Sequence, residues 1–179
     1  MMCKWYRCVL VLAGLLVMVP ASRAQDVYAG VRSTRIQVGA GVMRLSSDYV
    51  DKPIYGISGW ADYDFRKWLG IEADVHIGTI ITPEDLGENS YLIGPRFVYR
   101  KKALTGFGRV TAGRGTIINQ AFNLSTSFNI LAVGGGAEYL VKRKFNIRFV
   151  DFEYQDWYAF KPHSLSPISI TAGVSYVIR

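Results

Sequence analysis

From residue 35 onward, large apolar side chains recur at every second position, in segments separated by short basic or longer polar interruptions. Residues 168–179 show the pattern most cleanly. Ile168, Ile170, Ala172, Val174, Tyr176 and Ile178 fall on one face, and Ser169, Thr171, Gly173 and Ser175 on the other. A period of two is the signature of a strand lying between two unlike environments. The polar face here carries small groups, as a crowded interior requires.

The same reading divides the chain into eight predicted strands, at residues 35–45, 54–65, 69–81, 91–100, 104–114, 128–139, 145–158 and 168–179. In the second, Tyr55, Ile57, Gly59, Ala61, Tyr63 and Phe65 oppose Ser58, Trp60, Asp62 and Asp64. In the third, Leu69, Ile71, Ala73, Val75 and Ile77 oppose Glu72, Asp74 and His76. The fourth contains Pro95, a residue normally confined to strand edges and bulges. The seventh changes phase: Phe145, Ile147 and Phe149 share parity with Asp151, Glu153 and Gln155. A β-bulge near Phe149-Val150 would keep the acids off the apolar face.

Basic turns (Arg66-Lys67, Lys101-Lys102 and Lys142-Arg143-Lys144) alternate with loops predicted at residues 46–53, 82–90, 115–127 and 159–167. A strand crossing a bilayer needs about 9 to 11 residues, and outer-membrane barrels join such strands by short periplasmic turns and longer external loops. Aromatic residues gather at both ends of the strands, Tyr63, Trp68, Tyr99, Tyr139 and Tyr176 near the turns and Tyr55, Tyr91, Trp157 and Tyr158 near the loops. Two such girdles suit the two water–lipid boundaries. The expected fold is therefore all-β: an eight-stranded antiparallel up-and-down transmembrane β-barrel spanning residues 35–179. The competing class is an exported soluble barrel of the lipocalin kind, which would point its large apolar side chains inward and its charges outward. The small size of the polar face, and the absence of lysine from the strand interiors, favour lipid on the outside.

Composition adds the route to that membrane. Residues 1–24 combine Lys4 and Arg7, an apolar core, Pro20 and the small residues Ser22 and Ala24, the pattern of a secretory signal cleaved after Ala24. Residues 25–34 then form a periplasmic lead-in. Both cysteines, Cys3 and Cys8, lie in the leader, so processing would leave no thiol chemistry. The net charge is +7, and the leader supplies three of the positives through Lys4, Arg7 and Arg23. With no basic helix or basic-aromatic face, the balance does not point to nucleic acid. The basic turns share one rim and suit the anionic head groups of the adjoining lipid leaflet.

The inward-facing charges form the main chemical constellation: Asp62, Asp64, Glu72, Asp74, His76, Arg96, Arg109 and Glu138, with Arg148, Asp151 and Glu153 as further candidates. An eight-stranded barrel holds little more than its own side chains. The expectation is a buried ion-pair network that fills the lumen in place of a pore, with Arg96 beside His76 and diagonal to Asp74. With two histidines far apart and no mature cysteine, no metal or other cofactor is expected.

Three phrases stand out: Tyr63-Asp64-Phe65-Arg66-Lys67-Trp68-Leu69-Gly70-Ile71-Glu72, Leu92-Ile93-Gly94-Pro95-Arg96-Phe97 and Gly134-Gly135-Gly136-Ala137-Glu138-Tyr139. In this order they resemble the OmpA-like and OmpX-like outer membrane protein β-barrel domain family. The resemblance implies residence in the bacterial outer membrane and a structural or binding role for the external loops; with no peptidoglycan-binding domain read after the barrel, a cell-wall tether by that route is not expected. It also implies a C-terminal signal for the barrel assembly machinery, at Thr171, Gly173, Tyr176 and Ile178. The family usually ends in Phe, whereas this chain ends Ile178-Arg179. An enzymatic alternative, a lipid A deacylase-like hydrolase, rests on His163, Ser164 and Ser166, with Asp156 or Glu153 as the orienting acid.

Overall fold

A computed structural model of the chain describes residues 34–48, 52–82, 85–122, 124–158 and 165–178. The expected leader and all but the last residue of the lead-in lie outside them. Eight strands close into an antiparallel barrel in chain order: β1 (Arg35–Ser46), β2 (Ile54–Asp64), β3 (Leu69–Ile81), β4 (Leu86–Lys101), β5 (Leu104–Asn119), β6 (Leu124–Lys142), β7 (Phe145–Tyr158) and β8 (Ile168–Val177). The β1–β8 ladder, from Gln37↔Val177 to Ser46↔Ile168, removes the last free edge. Closure satisfies every strand within the barrel, the condition for backbone polar groups to cross hydrocarbon.

Alternation decides which face is which. Val42, Ile57, Ile93, Val133, Phe152 and Val174 are exposed on the outer wall, while the intervening polar residues are buried. On β5 the apolar exterior runs from Leu104 to Ala112 and meets an exposed Arg114 at the loop end. At about 3.3 Å per residue and a tilt of about 40°, that stretch stands about 20 Å tall, and Arg114 lies about 25 Å above Leu104, at the edge of a membrane barrel's apolar band.

Two expected loops are shorter than the sequence suggested. β4 begins at Leu86, and β5 and β6 continue to Asn119 and from Leu124, so residues 86–90, 115–119 and 124–128 are paired strand. These strands rise past Arg114 as a three-stranded ribbon, with Leu86 opposite Asn119 and Asn119 opposite Leu124. Its Ser, Thr, Asn and Gly residues read as loop because the inward face there carries Glu88, Ser90 and Gly115, buried but not apolar, so no hydrophobic alternation marks the strand. The loops at 46–53 and 159–167 do separate strands, although residues 49–51 and 159–164 lie outside the described set. The loop-end rim is tied across the β1–β8 seam by Ser166, whose backbone N donates to Asp48 Oδ2 at 3.0 Å.

Two irregularities are resolved. The β7–β8 register shifts between Arg148 and Asp151, and Phe149 and Val150 both lie on the exterior. This bulge lets Arg148 and Asp151 both turn inward, as the change of phase required. Pro95 keeps its place opposite Ile71 on β3, but the β4–β5 ladder skips Gly94 and Pro95 between Ile93↔Ala112 and Arg96↔Arg109. The missing N–H is absorbed as a gap in one ladder.

Candidate functional site: the lumen

The interior divides along the barrel axis. Toward the short turns it is ionic. Arg96, Arg109 and Arg148 are buried together with Asp62, Glu72, Asp74, Glu138, Asp151 and Glu153. Each arginine has a glycine as a cross-strand neighbour: Gly70 opposite Arg96, Gly134 opposite Arg109, and Gly173 opposite Arg148. Those gaps give the long side chains room to run to the axis.

Glu72 is the hub. Its Oε2 lies 3.0 Å from Arg96 Nη1, and its Oε1 lies 3.2 Å from Arg109 Nη1 and 2.8 Å from Arg148 Nη1. Arg96 and Arg109 stand directly opposite each other on β4 and β5, an arrangement that repels unless something sits between. Glu72 fills that position. Arg148 also reaches Glu138 at 2.8 Å, Asp151 at 2.8 Å and Asp62 at 3.3 Å. Arg109 pairs with Asp151 at 2.8 Å, Glu153 at 2.9 Å and Asp74 at 3.4 Å. Arg96 pairs with Asp62 and, at 3.2 Å, with Glu138. Charge-assisted contacts of this kind are the strong ones, and low polarity raises both their strength and the cost of losing one partner.

Arg96 lies opposite Gly70, not beside His76 as hairpin counting had placed it. The count failed because β4 begins at Leu86, which shortens the connection and moves every pairing on the hairpin. His76 instead faces Ser90, with Nδ1 3.0 Å from Ser90 Oγ and 3.8 Å from Glu153 Oε1. Asp64 lies lower in the lumen, paired with Arg100.

Aromatic groups complete the packing. The Phe107 ring is sandwiched among guanidinium groups, its centroid 4.4 Å from Arg96 Cζ, 4.4 Å from Arg148 Cζ and 5.7 Å from Arg109 Cζ. Trp60 holds Arg148 from another side at 4.1 Å. Trp60 lies across Gly39, its partner on β1, where any Cβ would overlap the indole ring. A ring face attracts a desolvated cation. Sequence reading did not single out Phe107, although it shares the parity of Arg109 and Thr111. The amides Gln37 and Asn146 were also passed over. Gln37 donates to Asp62 and Glu138 and accepts from Asn146 Nδ2 at 2.9 Å.

Toward the loops the lumen is mainly apolar, although Glu88 and Ser90 are also buried there. Leu92, Ile130, Ala132, Trp157 and Leu165 form one buried cluster, with Ile117 and Phe128 against it, so Trp157 faces the lumen and not the lipid boundary expected of it. Met43, Leu45 and Ile54 form another. The Trp157 indole N–H donates to Gln155 Oε1 at 2.8 Å, and Gln155 Nε2 donates to Glu153 Oε1 at 2.8 Å, which joins the two halves.

Of the hydrolase candidates, His163 and Ser164 lie outside the described residues, and Ser166 is on the rim contact with Asp48. Glu153 is engaged by Arg109 and Gln155 inside the barrel. Among the described residues, no group of three His, Cys, Asp or Glu side chains is placed to hold a metal ion.

A closed eight-stranded barrel with an apolar exterior and an ionised interior defines a small integral protein of the bacterial outer membrane. The chain belongs to the outer membrane protein beta-barrel domain family, whose model matches residues 9–177. No curated protein matches it. Among solved structures it is similar to Neisserial surface protein A (15% identity, 83% of this chain and 99% of that one, TM-score 0.59). It is also similar to the outer membrane protein OprG from Pseudomonas aeruginosa (10% identity, 84% and 98%, TM-score 0.58). A third is Ail, the attachment invasion locus protein of Yersinia pestis, in complex with the heparin analogue sucrose octasulfate (21% identity, 80% and 97%, TM-score 0.52). At these identities the likeness is one of fold.

Proposed function

We propose that this protein is a structural and binding component of the outer membrane: a plugged barrel that adds rigidity to the envelope and displays its loop-end surface to the outside. The observation that carries the reading is the filled lumen. Ion pairs around Glu72 continue through Gln155 into the Trp157 cluster, so the interior is committed to packing and the exterior rim is left for recognition. The β4–β5–β6 ribbon is the largest described element beyond the apolar band. Residues 82–90 and 115–127 are therefore the first surface to test, ahead of 46–53 and 159–167. In the same reading, residues 1–24 direct export. β8 is then the last stave to be delivered, and the assembly machinery reads it through Thr171, Gly173, Tyr176 and Ile178. Tyr176 and Ile178 lie exposed on its outer side, in keeping with that role.

The test has two parts. Folded protein in planar bilayers should show no sustained single-channel current, and steady conductance would overturn the plug. In a host lacking the gene, the full chain and a version with residues 117–126 replaced by a tight turn should both restore resistance to detergent. Only the full chain should restore attachment to host-cell surfaces. A host whose detergent resistance and attachment are unchanged by loss of the gene would sink the proposal.

A further inference from the structure

The outer wall of the barrel is not uniformly studded with side chains. On β5 the two lipid-facing positions that follow Leu104 are Gly106 and Gly108, and their partners on β6 are Ala137 and Gly135. Gly106 and Gly108, with Val98 and Phe107, form the floor of a shallow, open groove of about 310 Å³, walled by Trp68, Phe97 and Tyr99. Trp68 and Phe97 stack with centroids 6.4 Å apart and planes 14° apart, which makes that wall flat. The shape is not forced by crowding: a Cβ on Gly106 would meet nothing within 4 Å.

The foot of the groove is basic. Lys101 lies on the same outward face as Phe97 and Tyr99, Lys102 follows in the turn, and Lys67 precedes Trp68; all three lysines are exposed. The two turns are joined: Arg100 Nη1 donates to the Lys67 carbonyl at 3.0 Å, and the Val98 N–H donates to the Trp68 carbonyl at 2.9 Å. The two turns that carry the lysines are thus tied together below a groove that opens to hydrocarbon. Short turns face the periplasm in barrels of this membrane, which puts the group at the head-group level of the phospholipid leaflet.

We propose that this groove is a seat for one anionic glycerophospholipid, with an acyl chain laid over Gly106 and Gly108 and the phosphate held by Lys67, Lys101 and Lys102. Charge complementarity selects an anionic lipid over a zwitterionic one. The bare glycine floor selects a flexible chain, which follows a concave wall without leaving voids. A seated lipid fills a defect that the disordered bilayer would otherwise have to deform to cover.

Trp68 reports on the site, and the signal lost in Trp68→Phe isolates its emission. Folded full-length protein is placed in phosphatidylcholine vesicles containing a minor fraction of either brominated phosphatidylglycerol or brominated phosphatidylcholine. The expected result is stronger quenching of Trp68 by the anionic lipid, corresponding to local enrichment of about fivefold for each lysine engaged at low salt. Substitution of the three lysines (Lys67→Gln, Lys101→Gln, Lys102→Asn) should bring the two lipids to parity. Gly106→Leu, which has room to fold, should also abolish the preference while leaving heat-modifiable migration intact. Equal quenching in the unaltered protein would overturn the proposal. So would a preference that survives Gly106→Leu, since that is surface attraction without a seat. Protection of Trp68 from both lipids, with cross-linked dimers, would assign the groove to a second barrel and overturn it as well.

Discussion

The two halves of the lumen do the same job with opposite chemistry. The turn-side half packs guanidinium groups against carboxylates and aromatic rings, and the loop-side half packs Leu92, Ile130, Trp157 and Leu165 against one another. An apolar half tolerates approximate fits, because dispersion and burial depend weakly on the identity of each contact. The ionic half does not, because each buried charge depends on specific partners for its solvation. In the turn-side half, six buried carboxylates (Asp62, Glu72, Asp74, Glu138, Asp151 and Glu153) share three guanidinium groups. Loss of an arginine should therefore hurt most.

That contrast can be broken most directly at Arg148. Arg148→Met removes contacts to Glu72, Asp62, Glu138 and Asp151 at near-constant volume, and should cost about 3–5 kcal/mol. Urea unfolding of the barrel in vesicles measures it, and a loss below about 1 kcal/mol would show that the ionic half is as forgiving as the apolar one.

A smaller effect isolates the rings. Phe107→Leu keeps an apolar group but deprives Arg96 and Arg148 of a π face, and should cost about 1–2 kcal/mol in the same assay. Stability unchanged from the parent would mean that Phe107 serves only to fill space.

In the loop-side half, Leu92→Met conserves volume and should cost less than about 1.5 kcal/mol. If it cost as much as Arg148→Met, the halves would not differ in kind. The smallest effect expected is that of salt. Because the ion pairs are buried, raising ionic strength to about 1 M should shift unfolding by less than about 1 kcal/mol. A large salt-induced loss would mean that the pairs are open to water.

What could be read from the chain follows the same division. The inward placement of Asp62, Glu72 and Asp74 follows from parity alone, since Tyr63, Ile71 and Ala73 occupy the other face. The bulge at Phe149-Val150 was also legible, because acids and large apolar groups cannot share a wall in lipid. The apolar loop-side plug was not legible. Met43, Leu45, Leu92 and Ile130 are hydrophobic at inward positions, and parity cannot distinguish an oily plug from a lipid-facing wall where both faces are apolar. The ribbon was missed for the converse reason: small and polar residues such as Glu88, Ser90, Thr116 and Ser127 interrupt the alternation on both of its faces.

By itself the sequence determined the number of staves, their sidedness and the membrane they suit, because a two-residue period records which face meets lipid. Which charge meets which was decided only by the closed barrel. Pairing registers depend on where each hairpin turns, and the lumen brings together side chains from non-adjacent strands such as β3, β5 and β7. Glu72 and Arg148 are 76 residues apart along the chain, with Arg109 between them, and only closure makes the three neighbours.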